Sequence, residues 1–224
     1  MDHKLNVKSI THSFGNKIIF ANTGIECKTG EIAGIFGRNG TGKSTLFKIL
    51  FGTIKADKKE IYFDDQLFAP ELQVSPFIGY HTQEIMLPQN VHVENIISMY
   101  VHDQNKRDKI YYAQGVGDFK NKKIRHLSLG QKRYFQFLLL LSLNHNFILL
   151  DEPFAMIEPI YKDLIKKMIV EYKTFKGFLI ADHYYIDVLE IANKLSLIKD
   201  GKIIPVVNNE DLIRLGYLTN QSFI

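Results

Sequence analysis

Along the chain, short apolar runs of strand length alternate with stretches whose apolar residues recur at helical spacing. This alternation predicts an α/β architecture around a largely parallel sheet. Glu31 to Phe36 (EIAGIF) reads as a strand running into glycine, and Lys43 to Phe51 (KSTLFKILF) carries its apolar residues as a helix does. Phe147 to Leu150 (FILL) is apolar at every position, as a strand buried on both faces must be. After it come a helix from about Ile160 to Tyr172, a strand Gly177 to Ala181 and a helix near Tyr184 to Ala192. A hairpin turning at Asp200 and Gly201 and a short helix Asn209 to Leu215 complete the order. Between Glu84 and His126 the pattern turns polar and rich in Lys and Asn, without convincing buried strands. This predicts a helical lobe, extending with the next helix over about 84–145, inserted in a sheet domain made of 1–83 and 146–224.

A chain of 224 residues suits one large domain carrying such a lobe. With 46% hydrophobic and 23% charged residues it has the composition of a globular protein, which excludes disordered, collagen-like and coiled-coil classes. The longest apolar runs, Phe137 to Leu141 and Phe147 to Leu150, fall far short of the roughly 18 residues that cross a bilayer. The opening MDHKLNVKSI lacks the apolar stretch of a secretory signal, so a cytosolic chain is expected. Cys27, the single cysteine, can found neither an internal disulfide nor a zinc site of the usual spacing and reads as a small apolar filler. A net charge of +4 is too weak to demand nucleic acid, and no nucleic-acid partner is expected. The densest charge run, Lys122, Lys123 and Arg125, reads as a solvated face, with contact to an acidic partner as the alternative.

The first chemistry-bearing motif is Gly37 to Thr45, GRNGTGKST, which fits G-x-x-x-x-G-K-[ST] between a predicted strand and a predicted helix. Gly37, Gly40 and Gly42 permit a loop whose N–H groups, with those of Arg38, Asn39 and Thr41, line a phosphate-sized nest at a helix N-terminus. Lys43 is expected to reach the β- and γ-phosphates, Ser44 to offer its hydroxyl to Mg²⁺, and Thr45 to add a phosphate contact. Such a loop needs a carboxylate at the end of a neighbouring buried strand, and Asp151 follows Leu150 directly. Asp151 is expected to hold Mg²⁺ or its water. Glu152, pointing the other way from an extended backbone, is placed to accept a proton from the attacking water. Both emerge at the carboxyl edge of the sheet, where open α/β sheets bind ligands.

Leu127 to Gln131, LSLGQ, lies between these two motifs and resembles the LSGGQ signature of the ATP-binding cassette family. Physically it places the Ser128 hydroxyl and the Gly130 amide at the start of a helix Gln131 to Leu143, a second anion-binding terminus. The rest of the family's order follows: Phe14 in SFGNKIIF matches the aromatic position that stacks on adenine. Gln83 in GYHTQEIMLP matches the glutamine that meets Mg²⁺ and the attacking water, and His183 in LIADHYY matches the histidine that touches the γ-phosphate. The resemblance covers about Lys4 to Val207. It implies a P-loop NTPase (RecA-like) core with a parallel sheet, an N-terminal antiparallel β-subdomain and an inserted helical subdomain. It also implies an ATP hydrolase whose nucleotide is held between one chain's phosphate loop and the Ser128, Gly130 and Gln131 signature of a second cassette, the same or different.

Two departures stand out. Leu129 replaces the signature's first glycine, and AMIE at Ala155 to Glu158 replaces the usual serine and aspartate of the loop that reaches across the dimer. Ser128 and Gly130 remain, so binding is expected to survive. The family further implies a separate integral membrane permease, docked near Gln83 in the cleft between core and helical lobe, with this chain peripheral on the cytoplasmic face. The alternatives are a soluble cassette ATPase without a transport role, for example in cluster assembly, or a cassette that senses ATP.

Overall fold

The computed structural model of the chain describes residues 2–68 and 76–218. Strands β1 (Lys4–Phe14) and β2 (Lys17–Lys28) form a long antiparallel hairpin, and β3 (Ile32–Phe36) runs into the glycine-rich loop that opens helix α1 (Lys43–Phe51). Strands β4 (Lys58–Phe63), β5 (Gln66–Leu67) and β6 (Ile78–His81) follow. Next come α2 (Val93–Tyr100), α3 (Gln104–Tyr111), two single 3₁₀ turns and α4 (Leu129–Ser142). The chain then alternates β7 (Phe147–Asp151), α5 (Pro159–Tyr172), β8 (Gly177–Ala181) and α6 (Tyr185–Leu189), and ends in the hairpin β9 (Lys194–Lys199), β10 (Lys202–Val206) and α7 (Asn209–Arg214). No described helix is long and apolar enough to cross a membrane.

Two sheets result. The antiparallel one has the order β2-β1-β4-β5 and the other the order β10-β9-β3-β8-β7-β6, parallel except for its β10 edge. This is the P-loop NTPase arrangement that the resemblance implied, with helices alone between β6 and β7. The expected helix at Tyr184 to Ala192 is shorter, ending at Leu189, and the helix expected from Gln131 begins at Leu129. Cys27 is buried, as a small apolar filler would be.

The strand pleat explains why FILL is apolar throughout. Ile148 and Leu150 join a core under α4 and α5 with Phe137, Leu138 and Ile165, whereas Phe147 and Leu149 face the other core with Phe20, Phe47 and Leu50. Phe178 and Ile180 against Leu179 and Ala181 repeat this division on β8. The central strands are thereby clamped between two apolar layers, which holds their carboxyl ends as one edge. Gly34 lets α6 approach β3 closely, because a Cβ there would meet Val188 Cγ1 at 2.8 Å.

At the end of β6, His81 is fully enclosed, with Nε2 3.3 Å from the backbone oxygen of Arg133. Burial, aided by the Arg133 charge, pushes its imidazole from the ordinary 6.5 down to about 4. An unfolded chain therefore takes up this proton first as the medium is acidified. The His81 contribution is complete above pH 6.5 and is lost progressively towards pH 4. Denaturant unfolding of wild type and His81→Leu at pH 7 and pH 4.5 is expected to show a wild-type loss exceeding the variant's by about 2 kcal/mol. Parallel pH dependence in both would contradict the assignment.

Candidate active site

The phosphate loop is shaped by its neighbours. Gly42, at φ 108, starts α1, and a Cβ there would strike Ile19 Cγ2 at 2.5 Å and Phe20 Cζ at 3.0 Å, so β2 packs directly on the loop. Lys43 is buried, and its Nζ donates to the carbonyls of Gly37 (2.7 Å) and Arg38 (3.3 Å) inside the loop's own curve. Burial lowers its pKa, and the nearby charges of Glu152, Asp151 and Asp182 oppose that shift and favour the cation.

Asp151 closes the far side of the loop. Ser44 Oγ donates to its Oδ1 at 3.1 Å and Tyr80 Oη to its Oδ2 at 2.8 Å, so both carboxylate oxygens are engaged in a site only 3% exposed. Burial first, and then the Asp151 charge, push the Tyr80 hydroxyl far above its ordinary range, which keeps it a donor.

Glu152 corrects the sequence reading: its backbone is left-handed at φ 51, not extended. Its N–H donates to Ala181 O at 2.7 Å, its carbonyl accepts from Arg133 Nη1 at 2.7 Å, and its Oε1 stands 2.8 Å from His183 Nε2. The residue between β8 and His183, Asp182, is buried and accepts N–H bonds from Phe154 and Tyr184, both at 2.8 Å, which fixes the loops carrying Glu152 and His183 against each other. Its pKa is raised by burial, against these two hydrogen bonds.

A cavity of about 400 Å³ gathers Phe14, Asn39, Gly40, Gly42, Lys43, Ser44, Thr45, Glu152 and His183. Lys17 and Ile19 of β2 complete its lining. Phe14 is half exposed at its rim, held edge-on by His12 with ring centroids 4.7 Å apart. Opposite charges thus line a space with an aromatic at one end and a lysine-bearing helix N-terminus at the other, which suits a nucleoside polyphosphate.

Other expected residues lie elsewhere. Arg38 and Thr41 line a separate cavity of about 260 Å³ with Tyr217, and Arg38 Nη2 donates to Gly216 O at 3.1 Å. Gln83 is exposed and is not among the residues that line the main cavity. Ser128 is the N-cap of α4 and forms a reciprocal capping box with Gln131: Gln131 N–H donates to Ser128 Oγ at 3.1 Å, and Ser128 N–H to Gln131 Oε1 at 3.0 Å. Neither Ser128, Gly130 nor Gln131 lines the main cavity of its own chain. The Glu158 carboxylate folds over Gly130, where a Cβ would lie 2.0 Å from Oε2.

Sequence reasoning missed Tyr80, Arg133, Asp182 and Lys17. Arg133 alone left a signal, since it falls on the buried stripe of α4 with Gly130, Tyr134 and Phe137.

Comparison with known proteins agrees with this fold. Over 235 residues the chain is 27% identical to the lipopolysaccharide export system ATP-binding protein LptB of Haemophilus influenzae, covering 97% of this chain and 98% of that one. The crystal structure of a nucleotide-free ATP-binding cassette from an ABC transporter superposes with a TM-score of 0.81 at 22% identity, over 95% of this chain and 94% of the other. The dimeric structure of a post-hydrolysis state of an ATP-binding cassette, bound to ADP and Pi, gives 0.73 at 22% identity over 89% and 96%. The sequence profile of the family described as ABC transporter matches residues 20–155, more than half of the chain. Fold, phosphate loop and this match lead to one conclusion: the chain belongs to the ABC transporter family, among its ATP-binding, ATP-hydrolysing subunits.

Proposed function

We propose that this chain hydrolyses ATP at the interface with a second copy of itself and thereby drives a separate integral membrane permease from the cytoplasmic face. The observation that carries the reading is the division of the site. Asn39, Gly40 and Gly42 to Thr45 of the phosphate loop share one cavity with Glu152 and His183, and Asp151 is joined to it through Ser44, while Ser128 and Gly130 of the same chain do not line it. A polyphosphate in the cavity leaves the second helix terminus unused, and a head-to-tail pair brings each cavity against the partner's terminus. Each chain carries both halves, with Ser128 and Gly130 kept beside Leu129, so an unlike partner is not required.

In this reading Phe14 stacks on the adenine, and the amides from Gly37 to Thr45 with Lys43 hold the phosphates. The Ser44 hydroxyl and Asp151 carboxylate, 3.1 Å apart, form an all-oxygen pair suited to Mg²⁺, which when bound supplies charge neutralisation on the phosphates. Glu152 accepts the proton of the attacking water. His183, already 2.8 Å from Glu152 Oε1, orients that carboxylate and lies where it can donate to the γ-phosphate. Gln83 enters from the loop after β6 as the pair closes. Closure and release then form a two-state switch biased by ATP, and the permease takes up that motion in the cleft beside the helical lobe.

Glu152→Gln is expected to lower ATP hydrolysis at least about 100-fold while leaving an ATP-dependent dimer on size-exclusion chromatography. Undiminished phosphate release would remove Glu152 as the base. Tyr80→Phe deletes one hydrogen bond to a buried carboxylate and is expected to raise the Mg²⁺ concentration for half-maximal turnover about tenfold. An unchanged Mg²⁺ titration would show that Tyr80 does not orient Asp151.

A further inference from the structure

Arg133 is buried in α4, five residues after the helix cap Ser128, and no described carboxylate forms an ion pair with it. Its guanidinium is satisfied by backbone alone. Nη1 donates to Glu152 O at 2.7 Å and to Ala155 O at 2.8 Å, Nη2 approaches Gln83 O at 3.4 Å, and Nε is buried without a partner. Burial lowers its pKa, and the charges of Asp182 and Glu152 oppose that shift without a direct ion pair, so burying the cation still carries a desolvation cost. What the guanidinium adds is geometry: one planar group reaches three carbonyls on two separate loops, Gln83 after β6 and Glu152 and Ala155 between β7 and α5.

The Glu152 contact is the consequential one. Glu152 sits in the left-handed region, which a side-chain-bearing residue adopts only when its surroundings over-determine it. The N–H of Glu152 is tied to Ala181 and its carbonyl to Arg133, so the peptide orientation that delivers the carboxylate to His183 is pinned from both sides. Arg133 and Ser128 lie on one rigid helix about 7.5 Å apart along its axis. A displacement of the helix terminus is therefore carried to the carbonyl of Glu152.

We propose that Arg133 is a positioning residue that ties Glu152 to the signature helix, so that the carboxylate in one cavity is set by what the Ser128 terminus of the same chain engages in the other. This rests on the reading of Glu152 as the base.

The test is a cycle of Arg133→Lys, Glu152→Gln and the double variant, measured for ATP turnover and for Mg-ATP affinity. Lysine keeps the cation but cannot span three carbonyls. Arg133→Lys is expected to lower kcat about 10-fold or more with ATP affinity within about twofold of wild type, and to have no further effect in the Glu152→Gln background, because it acts through that carboxylate. Arg133→Met is expected to match Arg133→Lys, since the fork and not the charge is what counts. A multiplicative double variant, an unchanged rate in Arg133→Lys, or loss of ATP affinity in step with rate would overturn the inference and leave Arg133 a packing residue. Full turnover in Glu152→Gln alone would instead overturn the reading of Glu152, and the inference with it.

Discussion

The carboxylate of Asp151, held at both oxygens, is the interaction on which the rest of the site depends. Ser44 reaches it from the helix after β3 and Tyr80 from β6, while Asp151 itself ends β7. Three elements of one sheet edge are joined through a single buried charge. In so enclosed a place an anion is tolerated only when donors and cations surround it, and the two hydroxyls and the Lys43 ammonium fill that role. The same contacts keep the phosphate loop in register with β7, the strand that leads into Glu152. Side chains on separate segments thus act as one constellation.

Around this clamp the fold distributes rigidity and freedom unequally. The central strands are apolar on both faces, and Asp182 and Arg133 bind the loops at their ends by backbone hydrogen bonds. The rim is different: Phe14 and Gln83 are exposed, and Glu158 is an exposed carboxylate laid over Gly130. The nucleotide-bridged pair proposed above engages these rim residues, which leaves the core undisturbed. The capping box at Ser128 leaves the α4 terminus well formed in a single chain, which lowers the ordering cost of docking it on a partner's nucleotide.

Much of this was legible in the sequence because it rests on local rules. Doubly buried strands read as unbroken apolar runs, and GRNGTGKST marks a phosphate loop by its spacing alone. The long hairpin β1 and β2 did not read from periodicity. Its pairing shifts register three times, near Ile10 and His12, so strict alternation fails. Tyr80 and Asp182 left no pattern, since each acts by a contact between segments far apart in the chain. At Glu152 the extended backbone expected directly after the strand is replaced by a left-handed turn, held by hydrogen bonds to Ala181 and from Arg133. The capping residues of α4 are legible as a phosphate-binding signature, and the helical stripe of Gly130, Tyr134 and Phe137 marks the buried face on which Arg133 falls.

The central claim is that each catalytic centre is built from two chains, and mixing two inactive variants tests it most directly. Lys43→Ala destroys the phosphate-loop half and Ser128→Arg the signature half. In a head-to-tail pair formed from one of each, one cavity keeps an intact loop and faces an intact terminus. An equimolar mixture should therefore recover about a quarter of wild-type ATP hydrolysis, half the dimers being mixed and each having one competent site. A mixture no more active than its two components, with mixed dimers shown to form, would contradict the account.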